Sequence, residues 1–112
     1  MSIKNWSENI LLAELQDDPN FSDDVNALLD QLDSQPDQNV VLDFSSVSFL
    51  NSSNIAKLLK LRKTVTINNQ RKLKLCGINT HVWGVFLVTG LDNVFEYADD
   101  VASGLASIQL GG

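Results

Sequence analysis

Two adjacent serines, Ser52 and Ser53, stand where the apolar pattern of a strand changes to that of a helix. The segment before them, NVVLDFSSVSFL, is rich in branched and aromatic residues, and the apolar residues after them recur at helical spacing. The first turn of a helix has unpaired backbone N–H groups and a partial positive charge. A serine there can cap the helix, or it can carry a phosphate that the same N–H groups stabilise.

Local pattern alone favours capping, because Ser and Asn are preferred N-cap residues. A wider resemblance adds the second interpretation. Residues 40–59, VVLDFSSVSFLNSSNIAKLL, resemble the signature of the STAS domain, the family of bacterial anti-sigma factor antagonists. In that signature an apolar strand and a short Asp-bearing link lead to Asp-Ser-Ser/Thr-Gly at a helix start. Residues 73–108 resemble the second half of the family's domain, so the resemblance covers most of the chain.

The resemblance implies particular roles for the residues around the two serines. Ser52 matches the family's phosphoacceptor, and Ser53 is the alternative acceptor. Asn51 and Asn54 replace the usual Asp and Gly of the signature, at positions where we expect the partner to bind. The family's opening strand ends in a turn with a functional Asp, and here either of two residues fills that place, Asp17 or Asp18.

The function that the resemblance implies is that of a regulatory protein-interaction module in a partner-switching circuit. The unphosphorylated protein would bind an anti-sigma factor with serine kinase activity and so free a sigma factor. Phosphorylation of Ser52 would end that binding, and a serine phosphatase would restore it. The nucleotide would belong to the kinase, so this chain needs no cofactor.

Two other functions are compatible with the same sequence. One is a STAS scaffold without phosphorylation, serving as a subunit of a transport or sensory complex, in which Asn51 and Asn54 reflect lost kinase recognition. The other is a module that binds a small ligand or a nucleotide in a pocket near the turn at Ser52. Phosphorylation by the partner kinase distinguishes the switch from the scaffold.

Charge is distributed unevenly along the chain. Residues 1–43 hold ten acids and one cation, residues 44–74 seven cations and no acid, and residues 75–112 four acids and no cation, with a net charge of −6. The seven cations are Lys57, Lys60, Arg62, Lys63, Arg71, Lys72 and Lys74. A charge run is usually a solvated face, and the functional alternative is a docking face for an acidic protein partner, with Lys57 and Lys60 in it. The acidic balance and the lack of interleaved aromatic residues argue against direct nucleic-acid binding.

Strand and helix patterns alternate along the whole chain. Helices are predicted at 22–33, 53–67, 80–89 and 99–108, with strands between them and an edge strand from Ile3 and Trp6. This order is typical of an α/β domain with right-handed crossovers. We therefore predict a single STAS-like domain over residues 1–112, with a mainly parallel four- to five-stranded sheet packed against about four helices.

Several finer predictions come from the same patterns. Ser22 is expected to cap the first helix, Asn79 or Thr80 the third, and Asp99 or Asp100 the last. The second helix should bury Ile55, Leu58 and Leu59 and end through Asn68 and Asn69 in the left-handed conformation. A short strand should include Val94, Phe95 and Tyr97.

Other chemistry lacks the residues that it would need. His81 is the sole histidine, with no second ligand at metal-binding spacing and no catalytic triad around it, so we expect no metal site and no enzyme. Cys76 lies in an apolar strand pattern and is expected to be a buried thiol. No apolar run reaches the roughly 20 residues that span a bilayer, and the first residues lack a signal-peptide pattern. A cytoplasmic protein without membrane insertion is expected; the sequence leaves its oligomeric state open.

Overall fold

The computed structural model describes residues 3–111, which form five strands and four α-helices. The strands are β1 (Ile3–Ser7), β2 (Ile10–Gln16), β3 (Asn39–Ser46), β4 (Leu73–Cys76) and β5 (Glu96–Ala98). The helices are α1 (Asn20–Ser34), α2 (Ser52–Arg62), α3 (Thr80–Thr89) and α4 (Val101–Gln109). A π-helical segment, Lys63–Asn68, continues α2, and a 3-10 turn, Leu91–Asn93, follows α3.

The five strands form one sheet in the order β1-β2-β3-β4-β5. The pairs from β2 to β5 are parallel, as expected for strands connected through helices. The edge strand β1 pairs antiparallel with β2 because only the two residues Glu8 and Asn9 connect them. The prediction of a mainly parallel α/β domain is confirmed, and β1 makes the sheet mixed.

Helices cover the two faces of the sheet unequally. Successive side chains of a strand point to opposite faces, so Leu11, Leu42 and Leu75 contact the layer formed by α1, α2 and α3. Phe44 at the centre of this larger core meets Phe21 edge to face, with ring centroids 6.1 Å apart. The opposite face packs against α4 alone, through a smaller core of Ile10, Leu12, Val41, Cys76, Leu105 and Ile108.

The carboxyl ends of the parallel strands meet at one edge of the sheet, and the loops that lead into the helices gather there. The loop from β3 to α2 contains residues 47–51 and delivers Ser52 to this edge. The neighbouring loop from β4 to α3 is connected to it by a hydrogen bond in which Asn79 Nδ2 donates to the Val47 carbonyl over 2.8 Å. Open α/β sheets commonly bind ligands at this edge.

The buried face of α2 differs from the predicted one. Leu58 is fully buried, but Leu59 is 39% exposed, and Leu61 and Val65 are buried instead. Asn54, Leu58, Leu61 and Val65 recur at intervals of four, three and four residues, which is the stripe that faces the sheet. Leu59 lies about 100° around the helix from Leu58 and therefore points away from the core.

The other differences between the predicted and the observed structure lie at the ends of helices and strands. Ser22 does not cap α1, because the helix begins at Asn20 and Ser22 lies within its first turn. The left-handed residue after the second helix is Gln70, with φ 55°, since the π-helical segment extends the helical backbone through Asn68. The short strand β5 starts only at Glu96, after a bend at Phe95. Asn79 and Asp100 are the caps of α3 and α4, one of the two candidates at each place.

The packing of α4 generates a prediction about two helical glycines. A Cβ on Gly104 would lie 2.5 Å from Cys76 Sγ, whereas a Cβ on Gly84 in α3 would meet no atom within 4 Å. Alanine favours a helix over glycine by about 0.8–1 kcal/mol, but overpacking costs about 1–3 kcal/mol. Gly84→Ala should therefore raise the free energy of unfolding in urea by up to about 1 kcal/mol, and Gly104→Ala should lower it.

The buried thiol provides the control for this pair. In a Cys76→Ala background the sulfur is absent, so adding Gly104→Ala should cost less than it does in the wild type. Equal stabilisation by Gly84→Ala and Gly104→Ala in the wild-type background would contradict the close approach of α4 to β4.

Candidate functional site

Ser52 and Ser53 are the first two residues of α2, and both are exposed. Asn51 is the N-cap: its Oδ1 accepts a hydrogen bond from the Asn54 N–H at 2.8 Å, and Asn54 Oδ1 accepts from the Asn51 N–H at 3.2 Å. This reciprocal pair is a capping box. Because Asn51 caps the helix, neither serine hydroxyl is needed for capping, and neither makes a hydrogen bond within residues 3–111.

Asp18, in the loop between β2 and α1, connects this helix start to the rest of the edge. Its Oδ2 accepts from Asn51 Nδ2 and from Asn54 Nδ2, each at 2.9 Å. Its Oδ1 accepts from the Ser22 hydroxyl at 2.7 Å and from the Ser22 N–H at 3.0 Å. Of the two acids that the sequence left open, Asp18 is therefore the one that contacts the motif at the start of α2.

The hydrogen bonds around Asp18 also set its ionisation. Those from the side chains of Ser22, Asn51 and Asn54, in that order of effect, hold the pKa of the Asp18 carboxyl well below its usual range. Asp17 has a different role, because its Oδ1 accepts from the Ser48 N–H at 2.7 Å and so fixes the loop that leads to α2.

The two departures from the family signature share Asp18 as a partner. An Asp at position 51 would place a carboxylate where an amide nitrogen now donates to Asp18, so a like charge would replace a hydrogen bond. Asn54 is only 1% exposed and uses its side-chain oxygen and nitrogen in the capping box and the bond to Asp18. A glycine at position 54 would remove both bonds. Asn54 therefore supports the loop geometry and presents almost no surface of its own.

The lysines expected to bind a partner lie further along α2. Lys57 is half-buried, and its Nζ donates to Asn26 Oδ1 of α1 over 3.2 Å. Lys60 is exposed and makes no ion pair within the described part of the chain, and the same holds for Lys63. Three of the other cations are engaged: Arg62 with the Val94 carbonyl, Arg71 with Asp37, and Lys74 with Glu96. Besides the free lysines Lys60 and Lys63, Arg62 keeps its charge because its partner is a neutral carbonyl, so within residues 3–111 only Arg71 and Lys74 of the seven cations form ion pairs.

The solvent side of α2 combines polar and apolar groups. We call it the α2 face; its exposed members are Ser52, Ser53, Ala56, Leu59, Lys60 and Lys63. Phe49, in the loop just before the helix, is 49% exposed and adds a second large apolar group at the same end. The sequence pattern predicted Leu59 in the core and gave Phe49 no role of its own. Leu59, four residues after Ile55, and Leu61, three residues after Leu58, both fit helical spacing, so the sequence contains no signal that places Leu59 outside the core.

Other chemical groups lie away from this face. Cys76 is buried in β4, and burial raises the pKa of its thiol to about 11, with smaller contributions from the Asp43 and Asp100 charges. His81 is exposed on α3. Within residues 3–111 no three His, Cys, Asp or Glu side chains cluster closely enough to hold a metal ion. None of the helices that the structure describes has the length and apolar character needed to cross a membrane.

The profile of the STAS domain family matches residues 4–104, which is most of the sequence. The chain belongs to the STAS domain family. The resemblance inferred from residues 40–59 and 73–108 is thereby confirmed. A search of curated protein sequences gave no match.

Solved structures share the STAS fold at low sequence identity. A candidate anti-sigma factor antagonist of Thermotoga maritima has a TM-score of 0.82 and 14% identity, covering 96% of this chain and 92% of its own. RsbS from Moorella thermoacetica, with one serine replaced by glutamate, has a TM-score of 0.80 and 16% identity, covering 96% and 92%. The anti-sigma factor antagonist SpoIIAA in its unphosphorylated form has a TM-score of 0.72 and 11% identity, covering 98% and 97%. At these identities the likeness establishes the fold.

The hydrogen bonds of Asp18 generate a prediction about pH. A carboxyl whose pKa is lowered by folding stabilises the protein above its unfolded pKa, about 3.9, and this contribution is lost as the pH falls through the folded pKa. Asp18→Asn, which sets an amide against the amides of Asn51 and Asn54, should lower the urea midpoint at pH 7. The difference in urea midpoint from the wild type should begin to narrow below about pH 4, because there the Asp18 carboxyl of the unfolded wild type takes up a proton while the folded one is still ionised.

A matched control for this prediction is Asp30→Asn, which removes the same charge from an exposed position on α1. This variant should show a much smaller change at pH 7. A wild-type-like midpoint for Asp18→Asn at every pH would contradict a structural role for its hydrogen bonds.

Proposed function

We propose that this protein is a non-enzymatic regulator, an anti-sigma factor antagonist in a partner-switching circuit, and that Ser52 is its phosphoacceptor. Unphosphorylated, it would bind an anti-sigma factor that has serine kinase activity, through the α2 face and the neighbouring loop. Phosphorylated on Ser52, it would dissociate, and a serine phosphatase would return it to the binding state. Membership of the STAS family and the likeness to anti-sigma factor antagonists support this proposal.

The observation that carries the proposal is the exposed Ser52 hydroxyl at a helix start whose capping is already provided by Asn51. The hydroxyl is free to react, and the backbone around it is held by the capping box and by Asp18. Ser53 shares the exposure, but only Ser52 directly follows the residue in the Asp position of the family signature. The solved structure of SpoIIAA in its unphosphorylated form also fits a family in which phosphorylation defines two states.

Phosphorylation of Ser52 would act mainly on the partner contact. A phosphoserine adds about −1.5 to −2 charges and three acceptor oxygens. The unpaired N–H groups at the start of α2 would stabilise the phosphate, so the fold would tolerate it. The ionised Asp18, one hydrogen bond away through Asn51, would increase the negative potential at this edge. A partner that fits against the α2 face would then meet repulsion and a solvated group, and its affinity would fall.

The test of this proposal is phosphorylation by an anti-sigma factor kinase that binds the protein. Incubation with that kinase and ATP should add one phosphate, Ser52→Ala should abolish the addition, and Ser53→Ala should leave it largely intact. Intact-mass measurement gives the number of phosphates, and fragmentation of the peptide gives their position. Ser52→Ala and Ser53→Ala form a matched pair of variants, because both serines are exposed in the same turn of α2.

The opposite outcome points to the second candidate function. Asn51 and Asn54 already satisfy Asp18 in a closed set of hydrogen bonds, which favours a STAS scaffold that does not need modification. If a kinase that binds the wild type leaves Ser52 unmodified, and the Asn51→Asp/Asn54→Gly variant, which has the family signature, is also unmodified, the switch is excluded and the scaffold remains. Phosphate on Ser53 alone would correct the acceptor and keep the switch.

The contribution of the free lysines to partner binding is tested by charge reversal. Lys60 lies eight residues beyond Ser52, about 12 Å along the helix axis, and is exposed. Lys60→Glu should weaken binding to the unphosphorylated protein by about threefold to tenfold and make the affinity less dependent on salt. Titration calorimetry at two salt concentrations measures both effects.

The control is Lys72→Glu, the same charge change just before β4, at the edge of the sheet opposite Ser52. It should leave the affinity almost unchanged. If the two variants weaken binding equally, the effect comes from net charge, and the α2 face is not the docking surface.

A further inference from the structure

A cleft of about 270 Å³ opens at the same sheet edge as Ser52 but on the far side of the β4 to α3 loop. It is lined by residues of the β4 to α3 loop, of α3, of β5 and of the turn after β5: Ile78, Trp83, Tyr97, Ala98 and Asp99. The function proposed above uses none of these residues. The volume lies just below the roughly 300 Å³ of the smallest typical ligand sites, so the cleft suits a small head group.

The aromatic wall of the cleft is rigid. Trp83 and Tyr97 meet edge to face, with ring centroids 4.9 Å apart and planes at 89°. Phe86 stacks behind Trp83 at 6.3 Å, and the Tyr97 hydroxyl donates to the Leu91 carbonyl at 2.7 Å. Burial raises the pKa of the Tyr97 phenol, so it stays neutral and keeps this bond at physiological pH. Two electron-rich rings at a right angle form two sides of a box that attracts cations.

An acidic side chain at the cleft supplies the negative charge that favours a cation between these two rings. Asp99 is exposed at the rim and makes no hydrogen bond or ion pair within residues 3–111. Of the other nearby acids, Asp100 caps α4 through the Ser103 N–H, Glu96 is paired with Lys74, and Asp92 does not line the cleft. Residues 75–112 contain four acids and no Lys or Arg, so no local cation competes from this part of the sequence. Asp99 is therefore the carboxylate available to a ligand.

We propose that this cleft binds an organic cation, an ammonium or guanidinium head group held between the rings of Trp83 and Tyr97 and the carboxylate of Asp99. The rings supply cation–π attraction and exclude water from one side, and Asp99 supplies the counter-charge. The head group belongs either to a free small amine or to a Lys or Arg side chain of a protein partner. Both sources present the same chemistry to the cleft.

Tryptophan fluorescence tests this proposal directly, because the chain has only two tryptophans. Trp6 is partly exposed on the edge strand β1, so Trp6→Phe leaves Trp83 as the single reporter with little disturbance. Choline, as a free amine, and arginine with blocked termini, as a side-chain mimic, are titrated into this variant. Dimethylbutanol, which has the shape of choline without its charge, is the matched neutral probe.

We expect a saturable change in Trp83 fluorescence with at least one of the two cations and no change with dimethylbutanol. Asp99→Asn should weaken the binding of the cation by about threefold to tenfold, as expected for a partly exposed charge pair. Asp30→Asn, an equal charge change on α1, should leave the affinity unchanged. Tighter binding of choline identifies a free amine as the source, and tighter binding of blocked arginine identifies a partner side chain.

Three results would overturn the proposal. They are a Kd above about 10 mM for both cations, an equal response to dimethylbutanol, and an Asp99→Asn variant that binds the cation as tightly as its parent. Asp99 is exposed, so its replacement should leave the fold intact; the urea midpoint of the variant verifies this. Since none of these readouts involves Ser52 or a kinase, they are independent of the proposed switch.

Discussion

The geometry at the start of α2 depends on one carboxylate. Asp18 lies between two helix starts and accepts four hydrogen bonds, two from Ser22 and one each from Asn51 and Asn54. Hydrogen bonds to a charged acceptor are about twice as strong as those between neutral groups. Without the charge, the amides of Asn51 and Asn54 would lose their shared acceptor. The position of Ser52 thus depends on a residue more than thirty positions earlier in the sequence.

The parallel sheet makes this long-range contact possible. Because β2 and β3 are neighbours and run in the same direction, the loops that follow them lie side by side. Asp17 and Asp18 in the first loop then reach Ser48 and Asn51 in the second. The bond from Asn79 to the Val47 carbonyl extends the same arrangement to the third loop. Hydrogen bonds among neighbouring loops thus hold the edge that presents Ser52.

The sequence predicted the fold well because its signals are local and repeated. The alternation of strand and helix patterns gave the number and order of the elements, and the motif around Ser52 gave the family. Errors arose where a tertiary contact decides between two local choices. Ser22 has a good capping side chain, but the loop before it places Asp18 to receive its hydroxyl, and the helix begins at Asn20. Leu59 is as apolar as Leu61, and only the direction of α2 over the sheet separates them.

The position of the candidate site in the sequence was predictable, but the side-chain contacts around it were not. The sequence places Ser52 at a helix start, yet spacing cannot show that Asp18 and not Asp17 meets Asn51, since both precede Pro19. It also cannot bring Trp83 of α3 next to Tyr97 of β5, because their contact depends on how the helix packs on the sheet. These pairs are separated in sequence and joined by packing, which hydrophobic periodicity does not encode.

The exchange of a carboxylate for an amide at position 51 has a consistent physical explanation. With Asn51, the hydrogen-bonded group at the start of α2 contains one negative charge, that of Asp18, and the Ser52 hydroxyl is neutral. With Asp at that position, two adjacent carboxylates would already compete for the same donors, and one of them would be driven toward protonation. A phosphate on Ser52 would then be a third negative group. The amide therefore lowers the negative charge at the start of α2, so that the phosphorylation proposed at Ser52 would make a larger relative change in the electrostatic potential there.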